Sequence, residues 1–156
     1  MGEVDNPSTR LRALGLVLPP LPIPLANYLP AIRYGNLIYV SGHGSIGVEG
    51  EKFIGRVGEK WTVEQGYEAA RLAALNCLSA LNSIAPLEKV EQIIKITGYV
   101  HSEEGFTQQP EVLNGASDLL VAIFGDTGRH ARTAIGLRQT ARSYTVQLEM
   151  LVAVKN

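Results

Sequence analysis

Two arginines on one predicted strand have the spacing to form part of an acid-binding site. Between His130 and Arg138, alternate residues project to opposite sides, so Arg132 and Arg138 share a face with two small residues, Ala134 and Gly136. A guanidinium group can donate two parallel hydrogen bonds to a carboxylate. This face therefore has the charge and the room to hold a small organic acid. On the pattern alone, a solvated outer face or structural ion pairs are the more common arrangement.

Apolar residues occupy the other positions of this strand and one side of the next. The alternation predicts that one set faces the core: Thr133, Ile135 and Leu137. Residues 144–154 predict a second strand with a continuous apolar row: Val146, Leu148, Met150, Val152 and Val154. Gln147 and Glu149 then project from the opposite side of that strand, where they add polar groups to a ligand site.

Two long helices are predicted from their capping residues and apolar stripes. Thr62 and Gln65 have the spacing of a capping box, which predicts a helix from there to about Ile84. A second helix is predicted over residues 111–124, where Gly125 provides the stop. Both helices are long enough to cover a sheet.

The first part of the chain reads as an N-terminal extension over residues 1–24. Ser8 or Thr9 is expected to cap a short helix that continues through Leu14. Residues 18–24 contain four prolines, and proline fixes φ and lacks a backbone donor. We therefore expect an extended strap that lies on the surface.

The remaining strands complete an alternating order of elements. Leu37–Ser41 and Gln92–Val100 are predicted strands, and Lys52–Val57 is a weaker candidate. The order strand-strand-helix-strand-helix-strand-strand predicts one α+β domain with both helices on one face of a mixed sheet. The other face then carries apolar residues with no helix to cover it. Self-association of the chain would bury that face.

Composition excludes several classes of function. The 156 residues carry a formal net charge of -1, which favours neither nucleic acid nor an anionic membrane as a partner. Since Cys77 is the one cysteine, an intrachain disulfide is excluded. His101 and His130 have no companion ligands at metal-site spacing, so no metal is expected. No apolar run is long enough for a membrane span, and the acidic start with Glu3 and Asp5 is unlike a signal peptide, so a cytoplasmic location is expected.

Several short motifs together resemble the RidA/YjgF reactive-intermediate deaminase family. They occur in the family's order, and the resemblance covers residues 25–156, which we interpret as a single RidA-like domain. The motifs are Asn27-Tyr28, Gly35-Asn36-Leu37-Ile38-Tyr39-Val40-Ser41-Gly42, Asn114, Ala131-Arg132-Thr133 and Val146-Gln147-Leu148-Glu149. Residues 128–132 and the N-terminal extension are similar to a divergent branch of the family.

The resemblance implies a chorismate-mutase-like fold that assembles as a homotrimer with ligand clefts between subunits. Its active members hydrolyse 2-imino acids, including 2-iminopropanoate and 2-iminobutanoate, to 2-keto acids and ammonia without a cofactor. Arg132 matches the arginine that binds the substrate carboxylate. Tyr28 matches a residue of the family's catalytic cleft. Ser41 and Asn114 also match cleft residues, at positions that bind the substrate. The implied partners are a small 2-imino or 2-keto acid and further copies of the chain.

The sequence departs from the family pattern at two cleft positions. Gln147 occupies the position of the water-handling glutamate, and glutamine can orient a water but cannot take its proton. Glu149 matches the family's second carboxylate, so it does not replace the first. His43 stands where the family has a glutamine, and it is the candidate cleft residue that titrates near neutral pH.

Besides a structural or interaction role in which the N-terminal extension and its proline strap dock on a partner, three functions stay open at the level of sequence. The first is deamination of imino acids, with Arg132, Gln147 and Tyr28 as the catalytic residues. The second is a catalytically silent trimer that binds small carboxylates through Arg132. The third is a ribonuclease, an activity ascribed to some relatives, which the near-neutral charge disfavours. Arg138 has no counterpart in the family pattern and is interpreted as a surface or intersubunit ion-pair residue.

Overall fold

Five strands form one sheet in a computed structural model that describes residues 4–21, 23–47, 49–50 and 53–156. The order across the sheet is β1-β2-β5-β3-β4. The strands are β1 (Ala31–Tyr34), β2 (Leu37–Gly44), β3 (Val90–His101), β4 (Ala131–Leu137) and β5 (Val146–Val154). β3 and β4 pair in parallel, and the other neighbours are antiparallel, which confirms the predicted mixed sheet.

Three helices accompany the sheet: α1 (Pro7–Ala13), α2 (Val63–Asn82) and α3 (Gln109–Phe124). The predicted capping box of α2 is present, because Thr62 Oγ1 accepts from the Gln65 amide and the Gln65 side chain accepts from the Thr62 amide. α2 and α3 lie side by side against one face of the sheet. This confirms the predicted α+β architecture of the chorismate-mutase-like type.

The core lies between the helices and the sheet. The predicted apolar row of β5 is buried throughout: Val146, Leu148, Met150, Val152 and Val154. Opposite it, α2 contributes a buried stripe that includes Leu78 and Leu81. Gly115 allows α3 to approach α2 closely, because a Cβ at this position would lie 1.9 Å from the Tyr67 carbonyl oxygen. This contact sets the close spacing between α3 and α2.

The predicted orientation of β4 is wrong. Thr133 is exposed and Ile135 and Leu137 are half-buried, because their side faces away from the helices. Arg132 and Ala134 lie on the helix side instead, where Arg132 reaches α3 and Ala134 packs against the core. Since β4 is an edge strand next to α3, its helix side accepts a polar residue at one end. Alternation in the sequence correctly separates the two sides but does not say which one the helices cover.

The second face of the sheet carries large apolar side chains that no helix of the described residues covers. Ile32 is 53% exposed, Tyr34 82% and Tyr39 50%. Their strand partners extend the same surface, since Ile32 pairs with Tyr39 and Tyr39 pairs with Leu151. We call this surface the open face. Its presence agrees with the expectation of an uncovered apolar face.

Three local predictions need correction. β1 is not evident from the sequence, because Ala31–Tyr34 is a short edge strand with one buried residue. The weak strand at Lys52–Val57 does not form; Ile54 and Val57 make isolated bridges, and Lys52 lies outside the described residues. The N-cap of α1 is Asn6 rather than Ser8 or Thr9, and its side chain accepts from the Thr9 amide.

The N-terminal extension packs on the helical layer. Arg10 in α1 donates from Nη1 to the Ile123 carbonyl at the end of α3, at 3.4 Å. The strap is joined to α2 where the Ser79 hydroxyl donates to the Pro19 carbonyl at 2.5 Å. No helix in the part of the chain that the structure describes is long and apolar enough to cross a membrane.

Candidate functional site

Arg132 is held by two side chains of α3. Its Nη1 donates to Asn114 Oδ1 at 2.9 Å and to Ser117 Oγ at 3.2 Å. Asn114 and Ser117 are three residues apart, so they share one face of the helix. Because α3 directly precedes β4 in the chain and packs on it, the two acceptors lie above the first residues of the strand.

This arrangement leaves one side of the guanidinium for a ligand. Nη1 carries two hydrogens, and the two α3 side chains accept both. Nε and Nη2 of Arg132 have no hydrogen-bond partner within the described ranges. The Nε–Nη2 edge has the parallel donors that match the two oxygens of a carboxylate. Chemically, Arg132 is therefore suited to bind an organic acid side-on.

His130 extends this network away from the ligand edge. Its Nε2 lies 2.9 Å from Ser117 Oγ, and its Nδ1 lies 2.6 Å from the Gly128 carbonyl oxygen. Burial lowers the pKa of His130, the hydrogen bond to Gly128 opposes this effect, and the charge of Arg132 lowers the pKa further. The imidazole is therefore held in its neutral form more firmly than an exposed histidine.

A second group of predicted site residues lines a cavity of about 230 Å³ next to β2 and β5, away from β4. Tyr28, His43 and Gln147 all border it, and the strap supplies an apolar wall that includes Ile23 and Leu25. Gln147 on β5 is paired with Gly44 on β2, next to His43. Arg132 and Asn114 do not line this cavity, because β3 separates β4 from β5.

His43 lies where β2 departs from regular pairing. The register shifts between Val40 and His43, and His43 Nε2 lies 3.4 Å from the Pro30 carbonyl oxygen. Burial lowers the pKa of His43, and the contact with Pro30 opposes this effect. His43 also borders a smaller space beneath the strap, next to Pro19 and Asn76. His43 therefore lies between the cavity of Gln147 and the space next to Pro19.

Ser41 and Glu149 lie in a third place, a shallow depression of about 410 Å³ on the open face. The Ser41 hydroxyl donates to the Leu29 carbonyl at 2.6 Å, which ties β2 to the segment before β1. Glu149 Oε1 accepts from the Tyr99 hydroxyl at 3.0 Å. Both predicted binding residues thus have partners within the chain, and Lys95 adds a positive charge to the same depression.

The sequence analysis did not identify three residues that the structure places at these sites. Ser117 and His130 complete the network of Arg132, and their spacing from Asn114 and Arg132 is the only signal that points to them. Arg142 borders the cavity of Gln147. It has φ of 55°, a left-handed conformation that a sequence pattern does not reveal in a residue other than glycine.

Other candidate centres carry no chemistry of this kind. Cys77 is fully buried, and burial raises the pKa of its thiol, so the thiolate nucleophile is suppressed. No group of three or more His, Cys, Asp or Glu side chains among the described residues is arranged to hold a metal ion. Arg138 follows β4 directly and is exposed, and its carbonyl oxygen accepts from Arg56 Nε.

Comparison with known proteins agrees with the fold. The family described as "YjgF/chorismate_mutase-like, putative endoribonuclease" matches residues 8–143. Protein TCP17 of Trypanosoma cruzi is 35% identical over 151 residues, which are 96% of this chain and 94% of that protein. A crystal structure described as a "putative endoribonuclease" from Shewanella oneidensis is 32% identical, with a TM-score of 0.91, and the match covers 96% of this chain and 99% of that one.

RidA from an Antarctic Psychrobacter species shares the fold at lower sequence similarity. It is 19% identical with a TM-score of 0.59, and the match covers 86% of this chain and 94% of that one. The resemblance inferred from the short motifs is thereby confirmed. The chain belongs to the YjgF/RidA, chorismate-mutase-like family, in a branch whose sequences have diverged from RidA itself.

Proposed function

We propose that this protein hydrolyses small 2-imino acids to 2-keto acids and ammonia. The observation that carries the proposal is the state of Arg132: both hydrogens of Nη1 are accepted by α3, and the Nε–Nη2 edge is left without a partner among the described residues. A guanidinium oriented in this way binds a carboxylate with two charge-assisted hydrogen bonds. Every 2-imino acid and its 2-keto product carries that carboxylate.

The site would be completed by a second copy of the chain. In one subunit, Arg132 and the cavity of Gln147 lie on opposite sides of β3. The open face carries large exposed apolar side chains around the depression of Ser41 and Glu149, and no described segment of the same chain covers it. A homotrimer that buries the open face would bring Arg132 of one subunit to the Gln147 cavity of the next. We therefore place the reaction in a cleft between subunits.

The reaction needs water but no cofactor. Water adds to the C=N carbon of the protonated imine, and the C–N bond of the resulting carbinolamine then breaks. The two hydrogens of the water end on nitrogen, so R–C(=NH₂⁺)–COO⁻ and H₂O give R–CO–COO⁻ and NH₄⁺. Because the leaving nitrogen takes the protons, no protein base has to retain one.

Within that cleft we assign roles to individual side chains. Arg132 holds the carboxylate, and the Gln147 amide oxygen accepts a hydrogen bond from the attacking water and orients it. We assign to the Tyr28 hydroxyl the relay of a proton to the leaving nitrogen, because Tyr28 lines the same cavity. Ser41, His43, Asn114 and Glu149 are assigned to substrate binding, of which Asn114 acts through Arg132.

The direct test is release of ammonia and 2-keto acid from freshly generated 2-iminopropanoate and 2-iminobutanoate. We expect the wild-type protein to accelerate both reactions and Arg132→Ala to abolish the acceleration. Arg138→Ala removes an exposed guanidinium directly after β4, so it is the matched control and should retain full activity. Equal activity of wild type and Arg132→Ala would refute the mechanism.

A catalytically silent carboxylate receptor is the second candidate, and the residue that favours it is Gln147. Glutamine cannot act as a base, and Glu149 is already bonded to Tyr99. In that case 2-keto acids would raise the melting temperature through Arg132, but the wild-type protein would not accelerate imine hydrolysis. Activity that appears only in Gln147→Glu would then identify the wild type as a receptor.

Ribonuclease activity is named in the description of the family and of the Shewanella protein. For this chain we keep the expectation that RNA is not the substrate, since its net charge of -1 gives no basic footprint. Incubation with a labelled single-stranded RNA at low and moderate salt tests this. Cleavage that co-purifies with the protein and is lost in Arg132→Ala would overturn the expectation.

A further inference from the structure

A chain of four hydrogen bonds runs from the backbone to the ligand-binding guanidinium. It starts at the Gly128 carbonyl oxygen, passes through His130 and Ser117 and ends at Arg132 and Asn114. Its members come from three places: the turn after α3, the beginning of β4 and the exposed side of α3. Nothing in the resemblance to the family assigns a role to Ser117 or His130.

Each hydrogen bond in this series has a donor and an acceptor that can be assigned. The Gly128 carbonyl can only accept, so His130 Nδ1 carries the hydrogen of the 2.6 Å bond. In the neutral ring Nε2 then has a lone pair, and it accepts the Ser117 hydroxyl hydrogen at 2.9 Å. The Ser117 oxygen keeps its lone pairs for Arg132 Nη1 at 3.2 Å. His130 thereby fixes the rotor of the serine hydroxyl.

We propose that Ser117 and His130 are positioning residues that fix the plane of the Arg132 guanidinium, so that its Nε–Nη2 edge is presented to the substrate carboxylate. This inference rests on the proposed role of Arg132 in binding that carboxylate. Asn114 alone holds one hydrogen of Nη1 and leaves the guanidinium free to turn about this contact. The second bond to Ser117 removes that freedom before the ligand arrives.

The expected effect is on binding rather than on the chemical step. A long side chain that is ordered in advance loses less conformational freedom when it binds, so loss of the Ser117 bond should weaken 2-keto acid binding roughly 3- to 10-fold. The carboxylate is held in the ground state and in the transition state alike, so KM should rise while kcat changes little. A variant that was only less stable would not show a raised KM together with an almost unchanged kcat.

The first experiment follows Arg132 itself and needs neither substrate nor turnover. ¹⁵N-labelled arginine NMR reports the rate at which the Nη groups of each guanidinium rotate. We expect slow rotation of the Arg132 Nη1 group in the wild type and faster rotation in Ser117→Ala and in His130→Ala. Thr127→Ala is the matched control. Thr127 is next to Gly128 in the sequence, but its hydroxyl donates to the Phe124 carbonyl and takes no part in the series of hydrogen bonds that leads to Arg132.

The second experiment measures the energetic coupling between Ser117 and His130. Calorimetric titrations with 2-oxobutanoate give the affinity of each variant. Ser117→Ala and His130→Ala should weaken binding by similar factors, and the double variant should be no weaker than Ser117→Ala, since both act through one hydroxyl. His130→Gln, whose amide oxygen can accept the hydroxyl hydrogen, should recover much of the affinity.

The two experiments separate the two claims. Unchanged Arg132 rotation in both Ser117→Ala and His130→Ala would overturn the positioning role, whatever the activity of the protein. Additive losses of affinity in the double variant would also overturn it. If the wild type does not bind 2-oxobutanoate although Arg132 rotation is slow and responds to the variants, the proposed function fails and the positioning of Arg132 stands.

Discussion

Arg132 and Asn114 are 18 residues apart in the chain, and the Arg132 Nη1 group donates to Asn114 Oδ1 at 2.9 Å. The helix that carries Asn114 leads directly into the strand that carries Arg132, and it packs back over that strand. The contact is therefore intrasubunit and forms with the fold. A carboxylate that enters the site meets an arginine whose orientation is already set.

Replacement of Arg132 by lysine tests whether the shape of the guanidinium matters. An ammonium group keeps the charge but has no pair of parallel donors for a carboxylate. We expect 2-oxobutanoate to bind Arg132→Lys at least roughly tenfold more weakly than the wild type, equivalent to about 1.4 kcal/mol. Calorimetric titration measures this.

Arg138→Lys is the matched control for that substitution, since it makes the same change at an exposed arginine directly after β4. Its affinity should equal that of the wild type. If Arg132→Lys also binds as tightly as the wild type, a simple charge suffices at position 132, and the two-bond geometry proposed here is wrong.

Most of the fold is predictable from local signals. The capping box at Thr62 correctly starts α2, and the apolar alternation of β5 correctly identifies five buried residues. These elements are long and periodic, so their patterns are clear. β1 has four residues and one buried position, too few for a pattern. The side of β4 that faces the helices depends on where α3 lies, which alternation does not encode.

The site is less predictable because it depends on contacts between distant residues. The type and position of Arg132 and Asn114 suggested ligand binding, and the structure brings these two together. Ser117 looks like an ordinary helix residue until α3 is placed over β4. Arg142 reaches the Gln147 cavity through a left-handed turn that follows from the surrounding loop rather than from its own residue type.

The two candidate-site histidines should titrate at lower pH than an exposed histidine. Burial lowers both pKa values, but the charge of Arg132 contributes only to that of His130. We therefore expect Arg132→Leu to raise the pKa of His130 and to leave that of His43 unchanged. NMR titration of the imidazole ¹⁵N signals measures both in one sample, with His43 as the internal control. An equal shift at both residues would contradict the network.

These lowered pKa values also predict acid sensitivity. Below the ordinary histidine pKa of 6.5, the unfolded chain takes up protons at His43 and His130 before the folded protein does. Their contribution to stability is therefore present above that pH and is lost as the pH falls towards the folded pKa values. Urea unfolding at pH 7.5 and 5.5 should show a smaller loss of unfolding free energy in His130→Gln than in the wild type. An identical loss would contradict this prediction.

Gly115 is predicted to be a critical packing position. A methyl group there would lie 1.9 Å from the Tyr67 carbonyl oxygen of α2, so α3 would have to move. We expect Gly115→Ala to lower the unfolding free energy by about 1–3 kcal/mol. Because Asn114 would shift with the helix, 2-oxobutanoate binding should weaken as well. Gly42→Ala, whose new Cβ meets nothing within 4 Å, is the control and should unfold like the wild type.

A charge on the open face should prevent assembly of the expected homotrimer. Tyr39 is 50% exposed on this face, where it pairs with Ile32 and Leu151, and transfer of a carboxylate from water into an interface is costly. We expect Tyr39→Asp to be monomeric in light scattering and to lose imine hydrolysis while retaining its helical circular dichroism. Val17→Asp adds the same charge at a residue that is 73% exposed on the strap side, so it should remain trimeric. A monomeric Tyr39→Asp protein with full activity would place the whole site within one subunit and exclude the intersubunit cleft.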